Sequence, residues 1–275
     1  MNMSSPSSCF HNLLERNVVE YTEMKELHFA MLTLKFPVHQ NSTDLFKMEV
    51  DGCSHDELYF LPKLHRDDLL TLLELYRFFV HVAKKSNATF YLSGGSLIGQ
   101  VRHDKRLIPW DDDIDVVISQ DDLHIFTVTF GEEVERFNRT TKTFKLTEPK
   151  FNYYYDGMYK LYDSVNFTKV YDLYNFPFVD VFVFVKSGTV VIDEDKSSYK
   201  QILNSDVIFP LIRDKFLGEE IYLPYNVSEY LSCKSFMNLC QSRKYFHKYD
   251  HNLRNRKSIT KNCGDLEFIS FYKYI

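Results

Sequence analysis

Nowhere in the chain do about 18 apolar residues follow one another, so the sequence holds no candidate for a membrane-spanning helix and predicts a soluble body. The opening Met1 to Phe10 lacks the basic stretch and apolar run of a secretory leader. Cysteine is sparse: Cys9, Cys53, Cys233, Cys240 and Cys263 contain no C-x-x-C pair, leave one residue over in any pairing and offer no zinc framework. Cys53 with His55 lacks further ligands at matching spacing. Basic charge is not in excess either. Lys and Arg total 33 against 38 Asp and Glu, and they are dispersed, so the net charge of -5 argues against an electrostatic grip on long nucleic acid. There is no internal repeat and no low-complexity linker.

What is present is a chain of 275 residues, long enough for one main domain with a buried core. Its 24 Phe and 19 Tyr point to aromatic-rich strands. Asn-x-Ser/Thr sequons, among them those at Asn41, Asn87, Asn138, Asn166 and Asn226, favour the ER or Golgi lumen, with the cytoplasm as the alternative.

Residues 1–60 show no sustained period and read as a peripheral extension, 61–250 as the main domain and 251–275 as an irregular tail. From Arg66 to Lys85 apolar residues recur at helical spacing behind Asp67 and Asp68, which suit a helix N-terminus. Thr89 to Leu92 reads as a short strand ending in a Ser93-Gly94-Gly95-Ser96 turn, Leu97 to Val101 as a short helix and Ile114 to Ile118 as a strand. The spacing predicts a helix over Asp121 to Phe137 with a break near Gly131. Strands are expected at Thr143 to Leu146, Phe151 to Tyr155, Met158 to Tyr162, Val179 to Val185, Val207 to Ile212 and Glu220 to Leu223, with a short helix at Ser228 to Phe236. The result is an α/β (α+β) class, a mixed sheet with packed helices.

The segment Trp110-Asp111-Asp112-Asp113-Ile114-Asp115-Val116 heads a strand with a cluster of acids. Side chains two apart in a strand share a face, so Asp113 and Asp115 present paired carboxylates while Ile114 and Val116 enter the core. Two converging carboxylates repel unless a cation lies between them, and hard oxygen ligands suit Mg²⁺ or Mn²⁺. The glycine turn between strand and helix offers backbone N–H groups to a phosphate, and Arg102, His103, Lys105 and Arg106 add cations between turn and acids. Together these parts suit phosphoryl transfer.

The run Tyr91-Leu92-Ser93-Gly94-Gly95-Ser96-Leu97-Ile98-Gly99-Gln100-Val101-Arg102-His103, followed by Ile108-Pro109-Trp110-Asp111-Asp112-Asp113-Ile114-Asp115, resembles the signature of LicD and fukutin-type proteins. Phe176 to Phe182 is similar to that family's later aspartate-bearing strand, and likeness continues more loosely over Phe209-Pro210-Leu211 and Leu223-Pro224-Tyr225. The resemblance implies a nucleotidyltransferase-like fold and a divalent metal. It also implies transfer of a phosphorylated alcohol, such as phosphocholine or ribitol phosphate, from a CDP-activated donor to a glycan or glycoprotein acceptor. By the same resemblance Asp113 and Asp115 match metal-binding acids, Asp111 the acid before them, and Gly94, Gly95 and Ser96 a phosphate turn; Ser93, Arg102 and His103 join the substrate-binding set. Asp180 is the third carboxylate, with a strand-end acid holding a local partner as the alternative. Arg102 as a surface ion-pair partner and His103 as a capping or core residue also stay open. Tyr153, Tyr154, Tyr155, Tyr159 and Tyr162 suit packing better than an acceptor cleft, and Trp110 suits a loop anchor. Departures are Asp104, Lys105 and Arg106, where the family often has small or apolar residues, and the lack of a cysteine-based zinc site or membrane anchor.

Overall fold

A computed structural model describes residues 56–60, 63–64, 66–137, 144–147, 158–165, 168–170, 174–193, 201–232, 237–243, 246–248 and 258–266. The predicted strand at Phe151 to Tyr155 lies outside them, as does nearly all of the predicted N-terminal extension. The chain divides into two compact units, one formed by Asp67–Ile108 with Asp112–Lys234, the other by Met1–Arg66, Pro109–Asp111 and Ser235–Ile275. Among the described residues no helix is long and apolar enough to cross a membrane.

The larger unit begins with helix α1, Arg66–Lys85, carrying Asp67 and Asp68 in its first turn and Lys84 and Lys85 in its last, each opposing the helix dipole at that end. It stops at Asn87, whose φ of 54° is a conformation that Asn tolerates at a helix C-terminus. Strand β1, Phe90–Leu92, leads into helix α2, Gly94–Arg102. Strand β2, Ile114–Ser119, leads into helix α3, Gln120–Phe137. The break expected near Gly131 does not occur. That position is exposed with nothing within 4 Å of where a Cβ would stand, so glycine there lowers propensity by only about 1 kcal/mol and the buried face carries the helix through.

Strands β3 (Phe144–Thr147), β4 (Met158–Asp163), β5 (Thr168–Val170), β6 (Tyr174–Phe176), β7 (Phe178–Ser187), β8 (Val190–Asp193) and β9 (Gln201–Asn204) follow. The main sheet runs β1-β2-β7-β4-β3, with β8 and β9 continuing from β7. β2 and β7 are parallel, from Ile114 opposite Val179 to Ser119 opposite Phe184, and the other neighbours are antiparallel. The sheet is mixed, as expected. One face, bearing Phe90 and Ile118 in register, meets Phe79 of α1, whose ring lies 5.3 Å from both Phe90 and Phe126 of α3. By strand alternation the opposite face carries Tyr91, Asp115 and Asp180.

A short helix α4, Ser205–Ile208, then takes the first two residues of the strand expected at Val207 to Ile212. Pro210, which has no N–H for a ladder, separates it from β10, Ile212–Phe216. β10 pairs with β11, Glu219–Leu223, through the two-residue turn Leu217-Gly218. Both turn residues have positive φ, 53° and 83°, as a tight type I′ hairpin requires. Helix α5, Val227–Tyr230, begins one residue before the predicted Ser228 to Phe236.

α1 and α3 are also tied by charge. Glu133, 1% exposed, accepts from Lys85 Nζ and bonds His81 Nε2, each at 2.6 Å, with Arg136 3.4 Å away. The Lys85 and His81 bonds pull its carboxyl from 4.5 down to about 2. A depressed folded-state value contributes stability that is present above the unfolded value and lost as pH falls through the folded one. Urea midpoints are therefore expected to separate wild type from Glu133→Gln above about pH 5 and to converge toward pH 2. A gap that stayed constant with pH would show that the effect is not this carboxylate's charge.

In the smaller unit strand β12, Leu239–Arg243, pairs antiparallel with β13, Ser258–Asn262. A Cys240–Cys263 disulfide staples the pair. The cysteine count alone did not single out this bridge. Trp110, 4% exposed, stacks edge-on against Phe60 at 5.0 Å and donates its indole N–H to Gln241 O at 2.8 Å, an anchoring role.

Candidate active site

The turn that the sequence offers as a phosphate cradle is bonded to a carboxylate of the neighbouring strand. Ser93 caps α2 in extended geometry, its carbonyl accepting from Leu97 N–H at 2.8 Å. Its hydroxyl is fully buried and bonds Tyr230 Oη at 2.7 Å, so Ser93 fixes the turn from within. The N–H of Gly95 donates to Asp115 Oδ2 at 3.1 Å, the N–H of Asp115 donates to Ser96 Oγ at 2.9 Å, and the N–H of Ser93 donates to the Asp115 carbonyl at 3.2 Å. Asp115 is thus gripped at three points, with the positive end of α2 beside its carboxylate. Gly94 has a φ of 49°, and a Cβ there would stand 2.6 Å from Asp115 Oδ2, so glycine is required twice over.

Asp180 is the register partner of Asp115 on the neighbouring parallel strand. Adjacent strands lie about 4.8 Å apart, and Asp113 precedes Asp115 by two residues, so three carboxylates meet on one face of the sheet. Each of Asp113, Asp115 and Asp180 offers an oxygen within 4.8 Å of the others, and Asp113 and Asp180 are buried. Three hard anionic donors at this separation fit a divalent cation, which relieves their repulsion.

A residue outside the sequence-predicted set completes the row. Lys160 on β4 lies opposite Asp180 and forms an ion pair with its Oδ1. Its ammonium stands 3.6 Å from the centre of the Phe178 ring, and it is only 4% exposed. The available signal was a lysine amid the apolar residues of the strand Met158 to Tyr162, the counterpart of Asp180 in its own strand. Tyr230, which holds Ser93, left no sequence signal.

Arg102 and His103 do not share these surroundings. They occupy the other end of α2, about 12 Å along its axis from Gly94 at 1.5 Å per residue, where Arg102 Nε donates to His103 Nε2 at 3.0 Å. Lys105 forms an ion pair with Asp214 of β10, which also accepts from Gln100 at 2.8 Å. Asp111 belongs to the smaller unit with Pro109 and Trp110. Tyr162 is buried, Tyr159 is half-buried, and Tyr153, Tyr154 and Tyr155 lie outside the described residues.

Residues 87–226, just over half of the chain, match the LicD/FKTN/FKRP nucleotidyltransferase domain. Over 77 residues, 28% of this chain, it is 39% identical to the lipopolysaccharide cholinephosphotransferase LicD of Haemophilus influenzae. Over 159 residues, 57% of this chain, it is 23% identical to an uncharacterised protein of Rickettsia typhi. These matches span 29% and 43% of the relatives' own lengths. The matched domain contains the glycine turn, all three clustered aspartates and Lys160, and on that extent of agreement the chain belongs to the LicD/FKTN/FKRP nucleotidyltransferase-domain family.

Proposed function

We propose that the protein transfers a phosphorylated alcohol, of the phosphocholine or ribitol phosphate type, from a CDP-activated donor to a glycan or glycoprotein acceptor, using Mg²⁺ or Mn²⁺. The observation that carries this reading is the cluster Asp113, Asp115 and Asp180 inside the family-matched segment, with Asp115 clamped by the glycine turn. The likeness to a lipopolysaccharide cholinephosphotransferase supports the substrate class.

In this reading an acceptor hydroxyl oxygen bonds to the phosphorus bearing the alcohol, the phosphorus–oxygen bond to CMP breaks, and CMP leaves with its electron pair. The hydroxyl proton passes to an aspartate, Asp180. A bound divalent cation supplies charge neutralisation at the phosphoryl oxygens. The chain holds the three carboxylates in place: Gly95 and Ser96 fix Asp115, and Lys160 fixes Asp180. Arg102 and His103 enter as ligands for a more distant part of the donor. The Cys240–Cys263 disulfide and the exposed sequon residues Asn87 and Asn226 support a lumenal setting.

Purified protein is expected to release CMP from one member of a CDP-alcohol panel, in the presence of acceptor glycan and only with divalent metal. A product bearing CMP itself would establish a nucleotidyltransferase proper instead. Retained CDP binding with no turnover against any donor would favour a non-catalytic binding relative.

A further inference from the structure

Lys160, Asp180 and Asp115 lie in register across three neighbouring strands, β4, β7 and β2, so the ammonium is the third member of the row that presents the carboxylates. A lysine buried to this degree is costly unless it is paired, and this one is enclosed between the Phe178 ring and the Asp180 carboxylate. We propose that Lys160 is the resident counter-ion of the carboxylate cluster, a positioning residue that fixes Asp180 in place beside Asp113 and Asp115 when no divalent cation is bound. The proposal rests on the metal-binding reading given above.

The physical case is a comparison of charges. Asp113, Asp115 and Asp180 bring three negative charges to within one ion's reach, and Asp113 and Asp180 are buried, where repulsion is weakly screened. Lys160 offsets one of these charges permanently and fixes the carboxylate by Oδ1. An ordinary structural ion pair would contribute the same stability with or without metal. A resident counter-ion contributes most when metal is absent, because the cation takes over part of its work when it arrives.

The test measures melting temperature in EDTA and in saturating Mn²⁺, together with Mn²⁺ affinity by electron paramagnetic resonance, for wild type, Lys160→Met and the double variant Lys160→Met/Asp180→Asn. In EDTA, Lys160→Met is expected to melt about 5–10 °C below wild type, since it removes the ammonium that offsets a buried carboxylate. Mn²⁺ should restore most of that loss and bind the variant about tenfold or more tightly, because a nearby positive charge has been removed. The double variant should regain stability in EDTA while losing the tightened binding. A Lys160→Met deficit of equal size in EDTA and in Mn²⁺ would overturn the proposal and leave Lys160 as plain packing. If the single variant fails to fold in either condition, the double variant decides: recovery in EDTA supports the proposal and persistent instability overturns it. Wild type that neither binds Mn²⁺ nor melts higher with it would instead remove the metal reading itself, a failure visible before any variant is made.

Discussion

Asp115→Asn is expected to lower turnover by roughly three orders of magnitude while leaving the melting temperature nearly unchanged. Asparagine keeps the size of the side chain, its carbonyl oxygen can still accept from Gly95 N–H, and the backbone bonds to Ser96 and Ser93 are untouched. What it removes is one of the three negative charges of the cluster. Asp113→Asn should behave alike. Asp180→Asn should differ, because it removes the carboxylate that pairs with the buried Lys160 ammonium, so stability falls along with activity. CMP release and thermal melting measured on the three variants side by side read both quantities. Full activity in Asp113→Asn or Asp115→Asn would sink the assignment of the carboxylates.

The second large effect concerns three glycines that should respond with different signs. At Gly94 a methyl group would meet the Asp115 carboxylate at 2.6 Å on a backbone with φ of 49°. Gly94→Ala should therefore cost about 1–3 kcal/mol and, by displacing Asp115, most of the activity. At Gly99 the obstacle is backbone, the Arg106 carbonyl at 2.4 Å and the Ile108 nitrogen at 3.3 Å. Neither can swing aside, so α2 must part from the loop, and Gly99→Ala should cost about 3 kcal/mol or more. Gly131, mid-helix with open space around it, should gain about 0.5–1 kcal/mol on substitution by alanine. Denaturant midpoints order the series. A harmless Gly99→Ala would mean that α2 is not held against residues 106–108.

The parts of the site that are close in sequence were the legible parts. Asp113 and Asp115 are two apart at the head of an apolar run, and alternation alone places them on one face. The strand holding Asp180 was equally readable as a β-branched and aromatic segment, but its register against β2 is a tertiary fact, and only the family resemblance nominated that residue. Lys160 stayed hidden because its partner is 20 residues away and meets it only when β4 and β7 pair. The glycine turn was found, but its bonds to Asp115 were not. Which atom an amide addresses depends on the strand beside it, and here that strand presents Asp115. At Val207 to Ile212 an apolar run of strand length concealed a helical turn and a proline, an ambiguity that periodicity alone does not resolve. The Cys240–Cys263 bridge was unreadable for a simpler reason, since an odd set of cysteines allows many pairings.

The parallel pairing of β2 with β7 has a consequence during synthesis. A two-residue hairpin joins antiparallel neighbours almost at once, but Asp115 and Asp180 meet only across a long crossover. At translation rates of about 5–20 residues per second, a nascent chain carries Asp113 and Asp115 for several seconds before the strand bearing Asp180 has been made. Throughout that interval the emerging polypeptide holds only part of the carboxylate cluster, so any ion that fits the three acids can reward the finished sheet but cannot template it.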